Sequence, residues 1–231
     1  VKVKLHRPVE GKIKTCTVKR EGEHWHVVFA CEVLETEKLP VSDEEVGIDL
    51  GLTHFAALSN GEMLDHPRCY RRAEKKLAAL QQALSRKKRG SQRRHKAVKL
   101  VAKAHKKVSN QRKDFLHQAS KKLVDRYQVI VFEDLTTKNL VRRPKPKQDV
   151  STGQYLPNGA RSKGGLNKSI HDAGWERFVQ MCSYKAANAG RTLLRVNPKD
   201  TSQVCSGCRK KGPHKDLSER THICVHCGLV L

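Results

Sequence analysis

Residues 46–58 read VGIDLGLTHFAAL, a β-prone, largely apolar run with one carboxylate, Asp49, near its centre. Val46, Ile48 and Leu50 can pack one face of a strand, which turns Asp49 to the other face, and Gly47 and Gly51 leave room for backbone or phosphate to approach. Thr53 and residues 55–58 predict a second strand, and Asn60-Gly61 supplies the turn into a third. An unpaired buried carboxylate is costly and finds a cation or a hydrogen-bond donor. On these residues alone two readings stand: Asp49 holds a metal ion, or it caps a turn.

A second acid-bearing strand lies downstream. QVIVFEDL, residues 128–135, is a continuous apolar run that reads as a central strand buried on both faces, ending in Glu133 and Asp134. Successive strand residues point to opposite faces, so one of the pair can face an active site while the other is free to cap the next segment.

The chain carries 47 Lys and Arg against 23 Asp and Glu, a formal charge of +24. Such an excess belongs to proteins held against polyphosphate, and nucleic acid is the natural partner. No apolar run is long enough to span a bilayer, and neither a signal peptide nor an aromatic-rich amphipathic helix points to a membrane. The excess is concentrated: residues 71–113 hold 17 Lys or Arg and one acid, Glu74. Ala73, Leu77, Leu80 and Leu84 recur at helical spacing, and after a break at Gly90-Ser91 so do Ala97, Val101, Ala104, Val108, Phe115 and Ala119. The pattern predicts a helical hairpin over 71–127 with one packed seam. Its first helix presents Arg71, Arg72, Lys75 and Lys76; the turn presents Arg86, Lys87, Lys88 and Arg89; the second helix presents Arg93, Arg94, Lys96, Lys99, Lys103, Lys106 and Lys107. A solvated charged face usually mixes signs, whereas little here neutralises the cations, so this is the predicted nucleic-acid surface, strong in affinity and poor in sequence readout.

The remaining segments are predicted from pattern. Residues 1–41 alternate as β-structure, with residues 1–6 and 13–19 as strands, a turn at Glu21-Gly22 and residues 25–33 returning as partner. Residues 142–168, rich in Pro, Gly and cations, predict a mobile loop. Ser169, with Asp172 three residues on, predicts a helix start, followed by a stripe of Trp175, Phe178, Val179, Cys182 and Ala186 ending at Gly190. Residues 192–196 are the next strand, closed by Asn197-Pro198.

Four of the eight cysteines crowd into 23 residues: Cys205-x2-Cys208, 15 residues, then Cys224-x2-Cys227. That is the spacing of a four-thiolate zinc site built on two knuckles, with Gly207 and Gly228 giving the turns freedom; four thiolates leave no position for water, so the zinc is structural. His214, His222 and His226 read as surface residues rather than ligands. Cys16, Cys31, Cys69 and Cys182 are scattered and read as small buried hydrophobes.

Taken in order, VGIDLGLTHFAALSNGE, the basic helices, VIVFEDL, GWERFVQMCSYKAANAG, VNPKDTSQVCSGC and CVHCGLVL resemble the TnpB (OrfB) proteins of insertion sequences, relatives of the type V CRISPR effector nucleases. The resemblance implies an α/β, RNase H-like (RuvC) mixed sheet with an inserted basic helical hairpin, an N-terminal β-segment and a C-terminal four-cysteine zinc ribbon. It divides the chain into a partial barrel-like β-segment at 1–45, a nuclease domain at 46–200 and the ribbon at 201–231. It implies a guide RNA and a target DNA as partners, no small-molecule substrate, and a prokaryotic cytoplasmic protein at the nucleoid. Asp49 and Glu133 match two catalytic acids that hold Mg²⁺ or Mn²⁺, and the four clustered cysteines match the zinc ligands. The family's third catalytic acid, in an Asp-x-Asn-Ala-Ala motif, and its first helical region have no counterpart here, so the expectation is a chain truncated at both ends and impaired in catalysis. The rival expectation is a non-catalytic nucleic-acid-binding accessory or regulator of transposition; a basic protein of a ribosome-like assembly would leave Asp49 and Glu133 unexplained.

Overall fold

The computed structural model describes residues 2–5, 8–33, 38–199, 203–213, 221 and 223–230. The strands come first: β1 (Lys12–Glu21) and β2 (His24–Glu32) form an antiparallel pair, followed by β3 (Glu45–Leu50), β4 (His54–Leu58) and β5 (Met63–Asp65). Two long helices follow, α1 (Cys69–Ser85) and α2 (Gln92–Arg126), and then β6 (Val129–Glu133) and the short α3 (Thr137–Leu140). After a small pair, β7 (Lys147–Gln148) and β8 (Tyr155–Leu156), come α4 (Ala160–Ala173), α5 (Trp175–Ala189) and β9 (Thr192–Val196).

Five strands make the central sheet in the order β5-β4-β3-β6-β9. β3, β4 and β5 are antiparallel neighbours, as tight turns allow, and β3, β6 and β9 run parallel, with β6 and β9 each reached by a helical crossover. The alternation in β3 decides which face is inside: Val46, Ile48 and Leu50 are buried, with Ala56, Leu58, Ile130 and Phe132 beside them. Leu116, Leu123 and Val124 of α2 and Phe178, Val179, Cys182 and Ala186 of α5 cover that face. At its centre Phe55 stands edge-on to Phe178 at 4.9 Å, and Phe132 edge-on to Phe178 at 5.8 Å. Burying each ring contributes about 2–3 kcal/mol before the entropy of ordering it is counted.

α2, 35 residues or about 50 Å long, serves two cores. Its later turns lie on the sheet, while Val108 packs with Leu77 and Cys69 of α1 in a separate cluster. Between the helices Gly90 takes a left-handed φ of +81°, Ser91 accepts the first helical N–H from Arg94, and Arg94 Nη1 donates to the carbonyls of Leu84 and Lys87. The break at Gly90-Ser91 is therefore where α1 hands over to α2.

Several sequence expectations are corrected. Residues 2–5 carry no strand, and residues 12–32 form a two-stranded ribbon; its tip is tied to α2 by Lys99–Glu23 at 2.8 Å and Lys106–Glu21 at 3.5 Å. β6 is buried on one face only, because the helices cover a single side of the sheet and leave Val129, Val131 and Glu133 partly accessible. The predicted loop at 142–168 is helical from Ala160 onward, so Ser169 lies inside α4 instead of capping a helix. The break between α4 and α5 is Gly174, whose φ of +70° ends one helix and starts the next. Of the scattered cysteines Cys69 and Cys182 are buried, Cys31 is intermediate and Cys16 is exposed, since a two-stranded ribbon has no second layer to cover it.

Candidate catalytic face and metal centre

The parallel register of β3 and β6 sets Ile48 beside Phe132 on the helix-covered face. Asp49 and Glu133 are the next residues on these neighbouring strands, so they share the opposite face, where strand spacing is about 4.8 Å. Asp49 is exposed and Glu133 half-buried. The flanking strands place Ala57 opposite Asp49 and Val196 opposite Glu133. Gly47 belongs to the same face: its N–H donates to Ser59 Oγ at 3.1 Å and its carbonyl accepts from Ser59 N–H at 2.9 Å, fixing the β3–β4 pair beneath Asp49. Asp134, one residue on, is engaged elsewhere. Its N–H donates to the Val196 carbonyl at 2.8 Å, and its carboxylate accepts from Arg195 Nη1 at 3.3 Å.

The cysteine centre is built from two copies of one turn. In the first, Cys205 N–H donates to the Lys210 carbonyl and Arg209 N–H to the Cys205 carbonyl; in the second, Cys224 N–H donates to Leu229 and Gly228 N–H to Cys224. The fourth residue past each leading cysteine takes a left-handed φ, +56° at Arg209 and +73° at Gly228. Gly207 does a different job from the one its sequence position suggests: a Cβ there would sit 3.1 Å from Leu229 Cδ2, so it permits the two knuckles to close on each other. One ligand atom from each of the four cysteines lies within 4.8 Å of the others, with Cys205–Cys227 and Cys208–Cys224 sulfurs both at 3.6 Å. A zinc–thiolate tetrahedron with bonds of about 2.3 Å needs sulfurs about 3.8 Å apart, and this cluster fits it. The Cys224 thiol is pulled down to about 6, first by the His226 N–H that donates to its sulfur at 3.4 Å. The His226 ring lies 3.4 Å from the Lys211 carbonyl, and His214 and His222 fall outside the described residues.

The fifteen cations predicted for nucleic acid fall on α1, α2 and their connection, and all are exposed except the half-buried Arg94 and Lys106. A few are committed within the protein. Arg71 bonds Glu74, the Gly165 carbonyl and Ser169 Oγ; Arg94 closes the interhelical turn; Lys99 and Lys106 hold the β1–β2 ribbon.

Sequence reasoning missed one buried polar centre. The side chain of Asp172 is 1 % exposed; its two oxygens accept from Tyr70 N–H at 2.9 and 3.0 Å, and Oδ1 also accepts from Arg112 Nη2 at 2.8 Å. A carboxylate from α4 thus caps the first turn of α1 and pairs with α2, joining three helices. No local pattern reveals this, because the partners lie 60 and 102 residues away.

The chain combines a mixed sheet carrying two neighbouring acids with two cationic helices and a four-thiolate cluster that could hold a metal ion, and comparison with known proteins gives the family. The OrfB_IS605 family model, described as "Probable transposase", matches residues 28–143, half of the chain, and the "Cas12f1-like, TNB domain" model matches residues 175–231. The chain belongs to the OrfB (TnpB) family of transposon proteins. It is 31 % identical over 218 residues to "Putative RNA-guided DNA endonuclease InsQ" of Escherichia coli K12, covering 94 % of this chain and 53 % of that protein. A Streptomyces pristinaespiralis protein named "Putative RNA-guided DNA endonuclease" is 34 % identical over 225 residues, 96 % of this chain and 50 % of that one. "TnpB-like protein L770" of Acanthamoeba polyphaga mimivirus is 24 % identical over 241 residues, 99 % of this chain and 42 % of its own length. The chain spans about half the length of the curated relatives it matches. Among solved structures, a chain of a Cas12f1–sgRNA–target DNA complex aligns with a TM-score of 0.47 and 16 % identity over 92 % of this chain and 51 % of that one. No helix among the described residues is long and apolar enough to cross a membrane.

Proposed function

We propose that these residues are the nuclease region of an RNA-guided DNA endonuclease, with an RNase H-like sheet, a divalent-metal site at Asp49 and Glu133, a structural zinc at the four cysteines, and guide RNA and target DNA held on α1 and α2. The observation that carries this reading is the placement of two carboxylates side by side on adjacent parallel strands, on the face the helices leave open. Bound Mg²⁺ or Mn²⁺ supplies a Lewis acid for phosphodiester hydrolysis. The protein's part is to fix the ligands: Asp49 and Glu133 sit on a sheet whose other side is packed solid, so their backbones cannot drift, and Ala57 beside Asp49 keeps the approach clear. Two carboxylates hold a divalent ion weakly, and cleavage by these 231 residues on their own is expected to be poor.

Mn²⁺ binding followed by electron paramagnetic resonance tests the site apart from cleavage. Saturable binding lost in Asp49→Asn and in Glu133→Gln is expected; binding that survives both substitutions sinks the nuclease reading and leaves a non-catalytic nucleic-acid-binding protein of transposition. Elemental analysis should find about one zinc per chain, absent from Cys205→Ser. Charge reversal at Arg93, Arg94, Lys103 and Lys107 should flatten the salt dependence of RNA and DNA binding, by about one in slope for each phosphate contact removed; an unchanged slope would move the contact surface off α2.

A further inference from the structure

One face of α4 lines a cavity of about 630 Å³ that neither the acidic sheet face nor the cysteine centre uses. Ala160, Lys163, Gly164, Asn167, Lys168, His171 and Asp172 form that face, and Tyr70 of α1, Arg112 of α2, Val141, Arg143 and Pro144 complete the wall. Its volume suits an organic ligand rather than a single small ion. Two side-chain atoms in its wall are buried without a hydrogen-bond partner, Arg112 Nε and Asn167 Oδ1. Such orphans call for a missing partner. The Asn167 amide is oriented unambiguously, because Nδ2 donates to the Val141 carbonyl at 2.7 Å and leaves Oδ1 as the acceptor. The cavity wall thus holds one unused donor and one unused acceptor. It is also cationic: Lys168 is paired with Glu74 and Arg112 with Asp172, but Arg143 and Lys163 have no ion pair among the described residues. Gly164 lies mid-helix, where glycine is unfavourable, and a Cβ there would meet nothing within 4 Å. Packing therefore does not require that glycine.

We propose that this cavity seats one nucleotide of a nucleic-acid strand, its phosphate on Arg143, Lys163 and Arg112 Nε and a hydroxyl or amino donor of its sugar or base on Asn167 Oδ1. A nucleotide supplies an anion, a separate hydrogen-bond donor and an apolar body for Tyr70, Val141 and Pro144, whereas inorganic phosphate lacks the apolar body. The strand, rather than a free mononucleotide, is indicated by position: the cavity opens between the first turn of α1 and the middle of α2, the two cationic helices. It lies on the helix-covered side of the sheet; the choice of a strand rests on the nucleic-acid reading of α1 and α2 and not on the metal site at Asp49 and Glu133.

The test is side-chain NMR of the ¹⁵N-labelled, zinc-loaded chain without added divalent ion or chelator, titrated with r(A)4, AMP or inorganic phosphate at matched ionic strength. The Arg112 Nε–H and Asn167 Nδ2 resonances should shift saturably with r(A)4, less with AMP and not with phosphate. Lys163→Gln with Arg143→Gln should weaken r(A)4 at this site about tenfold, and Gly164→Leu should block it while thermal stability is kept. Equal shifts with phosphate would reduce the cavity to an anion seat, stronger shifts with AMP than with r(A)4 would exclude the strand, and unchanged shifts in the Gly164→Leu variant would place the ligand elsewhere. Each of these results overturns the proposal.

Discussion

The two faces of the central sheet come from alternate residues of the same strands yet obey opposite rules. On the covered face Phe55, Phe132 and Phe178 have no exposed surface, and the acid that enters the helical layer behind it, Asp172, meets three hydrogen bonds at once. On the open face Asp49 is exposed and stands beside a second acid, with small or apolar neighbours at Ala57 and Val196. A folded chain tolerates a carboxylate inside when its charge is answered by fixed donors, and it tolerates two adjacent carboxylates where water or a cation can answer them. The covered face is organised for stability, and the open face is the one that the proposed divalent-metal site uses.

Substitutions should separate the two faces by magnitude. The largest loss is expected from Phe178→Ala, about 3–5 kcal/mol in urea unfolding, because the ring fills the junction of β4, β6 and α5 and its removal leaves a cavity. Asp172→Ala should follow at about 2–4 kcal/mol, since it strips the cap from α1 and leaves Arg112, whose side chain is 25 % exposed, without its counter-charge; Asp172→Asn should recover part of that loss by still accepting from Tyr70. Asp134→Ala should cost under about 1 kcal/mol, as its ion pair with Arg195 is solvent-exposed. Asp49→Ala should be the smallest, within about 0.5 kcal/mol of the parent in metal-free buffer, or slightly stabilising, because it relieves the repulsion between neighbouring acids. A loss at Asp49 as large as that at Phe178 would break the comparison by showing that the open face is part of the packed core. Divalent ion should sharpen it: Mg²⁺ at millimolar concentration should raise the melting temperature of the parent and leave Asp49→Ala unmoved.

Much of the fold was legible in sequence wherever a local pattern governs. The period-two burial of β3, the turn at Asn60-Gly61, the break at Gly90-Ser91 and the Cys-x2-Cys pairs each depend on residues within one or two turns of chain, and the structure agrees with them. The misses share a cause. QVIVFEDL looks buried on both faces because an apolar run records only that its residues are hydrophobic, while the second covering layer must come from distant chain. The 142–168 segment looks like a loop because Gly and Pro dominate its composition, yet from Ala160 a helix is held in place by Arg71 on α1 bonding Gly165 and Ser169.

Alone, the sequence determined which residues could carry chemistry: Asp49 and Glu133 as acids on strands, four cysteines at zinc spacing, and a run of cations with almost no counter-charge. Spacing and charge are properties of the chain itself, so they survive any uncertainty about packing. Tertiary structure decided which of those groups meet. The parallel pairing of β3 with β6 put Asp49 next to Glu133 and left Asp134 to Arg195, and the convergence of three helices turned Asp172 from an apparent cap of its own helix into the cap of another. Such contacts join residues 60 to more than 100 positions apart, and only the energy of burying the apolar faces between them brings those positions together.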